Sequence, residues 1–151
     1  MNNLEERSRV VEVAKSWLRT PYFPCAQIKG RGCDCGSFLA GVYAEASIIE
    51  HIELGNYDWM AAWAKRDGDA MYLKEILGRG QEIAEADAGP GDVVMYRIGR
   101  GWSHAAIVID WPRAVIHAVR QQGVMVTRGD VGMLKLRGHR FFSPWRIDAT
   151  P

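Results

Sequence analysis

The stretch Gly32-Cys33-Asp34-Cys35-Gly36-Ser37-Phe38 sets a cysteine directly after an acidic residue and before an apolar series of Phe38, Leu39, Val42, Tyr43, Ala46 and Ile49. Those positions share one face of a helix. Asp34 is a good N-cap residue, so Cys35 falls in the first turn of a helix running to about Ile49. There the unpaired backbone N–H groups and the positive end of the helix dipole favour a thiolate over a thiol. Most cysteines are simply small buried hydrophobes. Cys35 is therefore a candidate nucleophile only if the chain also supplies a base and a group that positions the base.

Two of the four histidines qualify: His104 opens an apolar strand and His117 lies inside the next. A symmetric hairpin turning at Trp111 and Pro112 sets His117 against Ala106, two residues from His104 on the same face. The imidazoles then become diagonal neighbours on adjacent strands. A slip of one residue would send them to opposite faces. With Cys35 opposite that face, the three groups make a nucleophile, a base (His104) and an orienting residue (His117) that fixes the tautomer of the base. His51 and His139 stand in polar or basic stretches and read as surface residues. Cys33, Cys35, His104 and His117 are also chemically suitable zinc ligands. Alternate residues at a helix start point apart, however, and neither a metal nor another cofactor is expected.

The elements that must hold these groups change character along the chain. Glu5 to Leu18 carries apolar residues at helical spacing and stops at Thr20-Pro21. Tyr22 to Gly32 has turn chemistry and delivers the chain to Asp34. Asp58 to Lys65 and Ala70 to Leu77 read as short helices, with Trp59 and Trp63 packing one face on the core, and Gln81 to Ala88 is polar and ambiguous. From Gly89 the period becomes that of strands: 93–96, 103–110, 114–119, 124–128 and, interrupted near Pro144, 141–147. Short connections imply antiparallel neighbours. Helices first and a meander after them make an α+β plan, and 151 residues suit one domain spanning 1–151.

Composition narrows the partners. The net charge is +1, which gives no global field for nucleic acid. The charge is uneven: residues 1–90 hold ten Lys and Arg against fourteen Asp and Glu, and residues 91–151 hold nine against four. That tilt would help hold an anionic polymer near the second half. Cys25, Cys33 and Cys35 are too few and too close for a disulfide framework, so free thiols and synthesis in a reducing compartment are expected. The polar start Met1-Asn2-Asn3-Leu4-Glu5-Glu6 has no signal-peptide pattern, and no apolar run is long enough for a membrane span.

Five pieces in order resemble the NlpC family of papain-like cysteine peptidases, which cut the peptide stems of bacterial cell walls. They are Thr20-Pro21-Tyr22, Asp34-Cys35-Gly36-Ser37-Phe38, Pro90-Gly91-Asp92-Val93-Val94, Ser103-His104 and Ile116-His117-Ala118 with the turn at Gly123-Val124. The resemblance implies a papain-like fold with the nucleophile helix packed on the antiparallel sheet. It also implies amide hydrolysis through an acyl-enzyme on Cys35, with His104 as base and His117 as orienter. Tyr22 and the backbone N–H of Cys35 would support the thiolate or oxyanion, and Trp102, Ser103 and Ser37 would line a cleft for a peptidoglycan stem peptide. Asp92 reads as a turn residue. Gly36-Ser37 reverses the family's usual Ser-Gly order. Members of this size without a signal resemble cell-wall peptidases of phage tails or gene-transfer particles, which work among other tail proteins and reach the periplasm or wall by delivery. Contact-delivered amidase toxins, and a tail-tip module that keeps the fold without catalysis, are the rival readings.

Overall fold

The structure, a computed structural model, describes residues 3–52, 78–98, 101–135 and 138–145. The short helices expected at 58–65 and 70–77, with Trp59 and Trp63, lie outside the described residues. Two helices, α1 (Asn3–Ser16) and α2 (Cys35–Glu45), flank a small hairpin of β1 (Gln27–Ile28) and β2 (Gly32–Cys33). The second part is a sheet of β3 (Gln81–Ile83), β4 (Val93–Ile98), β5 (Gly101–Asp110), β6 (Ala114–Val119), β7 (Gly123–Thr127) and β8 (His139–Ser143). Its order is β3-β8-β4-β5-β6-β7, with all neighbours antiparallel.

Helix α2 starts where the sequence places it. Asp34 accepts from the Ser37 N–H at 2.9 Å, and its own N–H donates to Ser37 Oγ at 2.8 Å, a reciprocal capping box. The second Asp34 oxygen accepts from the Cys25 N–H at 2.9 Å, which ties the preceding turn to the helix start. The helix ends at Glu45, four residues short of the apolar pattern, because Ser47 takes a left-handed φ of 62° and the Ile48 N–H turns back to the Tyr43 carbonyl. Gly41 lets α1 and α2 approach: a β-carbon there would stand 2.5 Å from the Trp17 ring.

The sheet has two apolar faces. Val93, Met95, Ala105, Ile107, Ile116 and Ala118 pack with Phe38, Leu39 and Val42 of α2, while Val94, Tyr96, Ala106, Val108, Val115 and Phe141 form a second cluster. Pairing of Ile107 with Ile116 and Val108 with Val115 is the register of the symmetric hairpin, with an irregularity only beyond Val108. The last strand departs from a simple meander. It is centred earlier than expected, and β8 returns to pair with β4, with β3 on its outer side, instead of following β7. That return sets His139 opposite Tyr96. Its ring packs edge-on to Tyr96 and Trp111, and its Nε2 lies 2.8 Å from the Leu134 carbonyl, so His139 is half-buried structure, not surface. Asp92 is a turn residue with a second task. Fully buried, it accepts from the Gly89 N–H at 2.8 Å and meets Arg7 of α1 at 3.0 Å.

Candidate active site

The cap and the sheet bring Cys35 to the beginning of β5. Cys35 is 4% exposed, and its sulfur lies 3.7 Å from the Ser103 carbonyl, one peptide bond from His104. His104 pairs directly with Tyr96, with ring centroids 5.8 Å apart, and so belongs to the face of the second cluster. The sulfur approaches from the α2 side. The cysteine therefore reaches β5 from the face opposite the imidazoles, where the expectation had it over the face that carries both of them.

His104 and His117 do come together, as the hairpin register requires. His104 Nε2 lies 2.8 Å from His117 Nδ1. The chain of contacts continues: His117 Nε2 lies 2.9 Å from Thr127 Oγ1, and that hydroxyl donates to the Arg128 carbonyl at 2.9 Å. Thr127 was not singled out by any sequence signal. In register it is a diagonal neighbour of His117 on β7, since Val115 faces Thr127 and His117 faces Met125.

Burial, and then the charge of His117, pushes His104 down to about 3, and burial pushes His117 down to about 4. Both rings are therefore neutral at neutral pH. An unfolded histidine titrates near 6.5, so below that pH the unfolded chain takes up protons that the folded chain refuses. Stability is fully present above pH 6.5 and falls as pH drops toward the folded values, by up to about 1.4 kcal/mol per pH unit for each ring. Urea unfolding between pH 7 and 5, above the carboxylate range, is expected to show this slope, and His117→Asn to make it shallower. An unchanged slope in that variant would contradict a neutral buried pair.

The other expected site residues are placed as follows. Tyr22 is half-buried and bridges to Cys33. Burial first, then the charges of Cys35 and Asp34, raises its phenol well above the ordinary value, so it remains an O–H donor. Ser37, expected in the cleft, is 1% exposed with its hydroxyl engaged in the cap. The Gly36-Ser37 order is what puts that hydroxyl at the third helical position, where a capping box closes. Ser103 directs its hydroxyl at the Ile98 carbonyl, 3.2 Å away, and its carbonyl faces the sulfur. Trp102 is half-buried against the core, with the Arg140 guanidinium 5.4 Å from its ring centre. Cys33 is fully buried, and burial, Asp34 and Cys35 together push its thiol up to about 12. Among the described residues, no group of three or more His, Cys, Asp or Glu side chains could hold a metal ion, and no helix is long and apolar enough to cross a membrane.

A family model described as the NlpC/P60 family matches residues 20–141, a span that holds Tyr22, Cys35, His104, His117 and Thr127. Among solved structures, the chain is similar to the NlpC/p60 domain of the peptidoglycan hydrolase SagA (20% identity, TM-score 0.61, covering 89% of this chain and 96% of that one). It is also similar to an NlpC/P60 family protein from Bacillus cereus (16%, TM-score 0.63, covering 89% of this chain) and to NlpC1 from Trichomonas vaginalis (18%, TM-score 0.63, covering 91%). It spans 39% and 43% of those two longer chains. No curated protein matches. At these identities the likeness is one of fold: helices packed on an antiparallel sheet in the same α+β arrangement.

Proposed function

The chain belongs to the NlpC/P60 family, and from that premise we propose that it is a cysteine peptidase that hydrolyses an amide bond in the peptide stems of bacterial peptidoglycan. The hydrogen bond between His104 Nε2 and His117 Nδ1 carries this reading. It leaves Nδ1 as the working nitrogen of His104. Nδ1 is the ring nitrogen nearer the main chain, and the sulfur lies 3.7 Å from the carbonyl of the preceding residue, Ser103.

In the reaction, His104 Nδ1 takes the Cys35 proton as the sulfur attacks the amide carbonyl. The oxyanion is met by the backbone N–H of Cys35 at the helix start and by the Tyr22 hydroxyl. His104 returns the proton to the leaving amine, water enters, and the same imidazole deprotonates it to release the acyl group. Both imidazoles rest neutral, since burial disfavours charge on each ring. Proton transfer then accompanies attack.

The family match over residues 20–141, and a similar structure that is itself named a peptidoglycan hydrolase, support the reading of one peptidase domain spanning 1–151 with a stem peptide as substrate. The three free thiols support synthesis in a reducing compartment. A wall substrate then calls for delivery, and a phage-tail type of particle, with other tail proteins as partners, is the route we favour. The test is incubation with purified sacculi and with synthetic stem peptides, read by mass spectrometry. A gain of one water and a new amine within the stem is expected. Intact stems after prolonged incubation with folded protein would overturn the proposal.

A further inference from the structure

Resting on that reading, we infer that Thr127 is a positioning residue whose hydroxyl selects the tautomer of both imidazoles and so decides which nitrogen of His104 is free to accept a proton. The tautomers follow from the protons available along one line of contacts. A threonine hydroxyl has a single proton and two acceptor lone pairs. Thr127 gives its proton to the Arg128 carbonyl at 2.9 Å, and a carbonyl can only accept. Toward His117 Nε2, 2.9 Å away, the hydroxyl therefore presents a lone pair, and Nε2 must carry the hydrogen. A neutral imidazole has one N–H, so His117 Nδ1 is bare and accepts from His104 Nε2 at 2.8 Å. His104 in turn is bare at Nδ1.

The opposite arrangement would reverse every step. If Thr127 donated to His117 Nε2, then His117 Nδ1 would donate to His104 Nε2, and His104 would already hold a proton on Nδ1. A base in that state cannot take the cysteine proton. Two neutral rings bonded to each other, His104 half-buried and His117 buried, do not choose between these arrangements; the choice comes from the end of the line. The Arg128 carbonyl and the Thr127 hydroxyl make that end asymmetric. This is a different task from that of His117, which holds the base but is itself symmetric between the two tautomers.

The test compares Thr127→Val, which keeps the shape and removes the hydroxyl, with Thr127→Ser, which keeps the hydroxyl. Imidazole 15N shifts of histidine-labelled protein are read at neutral pH beside kcat and KM for stem-peptide hydrolysis. In the parent and in Thr127→Ser both rings are expected as Nε2–H tautomers, with kcat within about threefold of each other. In Thr127→Val a population protonated on His104 Nδ1 is expected. Its kcat should fall roughly 10- to 1000-fold at little-changed KM, less than the ~10⁴-fold that loss of a charged orienter can cost. Unmoved 15N shifts in Thr127→Val would overturn the inference. So would a tautomer change without loss of kcat, or a Thr127→Ser variant as impaired as Thr127→Val. If Thr127→Val does not fold, Thr127→Ala carries the same comparison. The shifts need no substrate, so a chain that cleaves no stem peptide would sink the proposed function while still deciding the role of Thr127.

Discussion

Cys35→Ala is expected to abolish stem-peptide hydrolysis, by roughly 10⁴-fold or more, while Cys33→Ala and Cys25→Ala keep most of it. Three thiols within eleven residues are chemically alike, and only their surroundings separate them. Cys33 is fully buried in the core and its thiol is pushed up to about 12, so at neutral pH it is neither accessible nor ionised. Cys25 stands in a turn at a φ of 65°, where its backbone N–H serves the Asp34 carboxylate. Cys35 alone occupies the first turn of a capped helix, with its sulfur beside the peptide that leads into His104. Steady-state rates of the three variants, with peptide mapping after brief iodoacetamide treatment, provide the check. The label should appear first on Cys35. Equal loss in all three variants, or first labelling of Cys33, would mean that the site has no single nucleophile.

Most of what positions this site was legible because it is local. An aspartate three residues before a serine, followed by an apolar helical face, needs only backbone hydrogen bonding to become a capped helix, and α2 starts there. The β5–β6 hairpin was equally readable. Alternation with one short turn leaves few registers that keep Ile107 and Ile116 inside, and the correct one makes His104 and His117 diagonal neighbours. What escaped depends on partners distant in sequence. Nothing around His139 shows that β8 crosses back beside β4, where a ring in a basic stretch meets Tyr96 and Trp111. Nothing around Thr127 marks it either, because its meaning comes from a histidine on the neighbouring strand and from the carbonyl of the next residue. Ser37 erred for the opposite reason. A motif residue beside the nucleophile suggests substrate, whereas the nearest unsatisfied donor was the N-cap backbone itself.

His104→Ala and His117→Ala are expected to differ, and the size of the difference tests the assigned roles. Without His104 no base takes the sulfur's proton, and a loss of roughly 10²- to 10⁴-fold in kcat follows. Alkylation of Cys35 at neutral pH should slow as well, because a bare imidazole nitrogen no longer assists ionisation of the thiol. Without His117 the base remains, but its Nε2–H loses the acceptor 2.8 Å away inside a buried site. An unpaired buried donor costs about 1–3 kcal/mol, which His104 can relieve by turning its ring or moving its proton to Nδ1. Either response lowers the fraction of correctly poised base, so an intermediate loss of roughly 10- to 100-fold is expected. His117→Asn should recover part of it, since an amide oxygen can accept where Nδ1 did. The decisive measurement is the pH dependence of Cys35 alkylation in the parent and both alanine variants, beside kcat/KM. If His117→Ala matched His104→Ala in both, the two imidazoles would be acting as one unit, and the separation into base and orienter would be wrong.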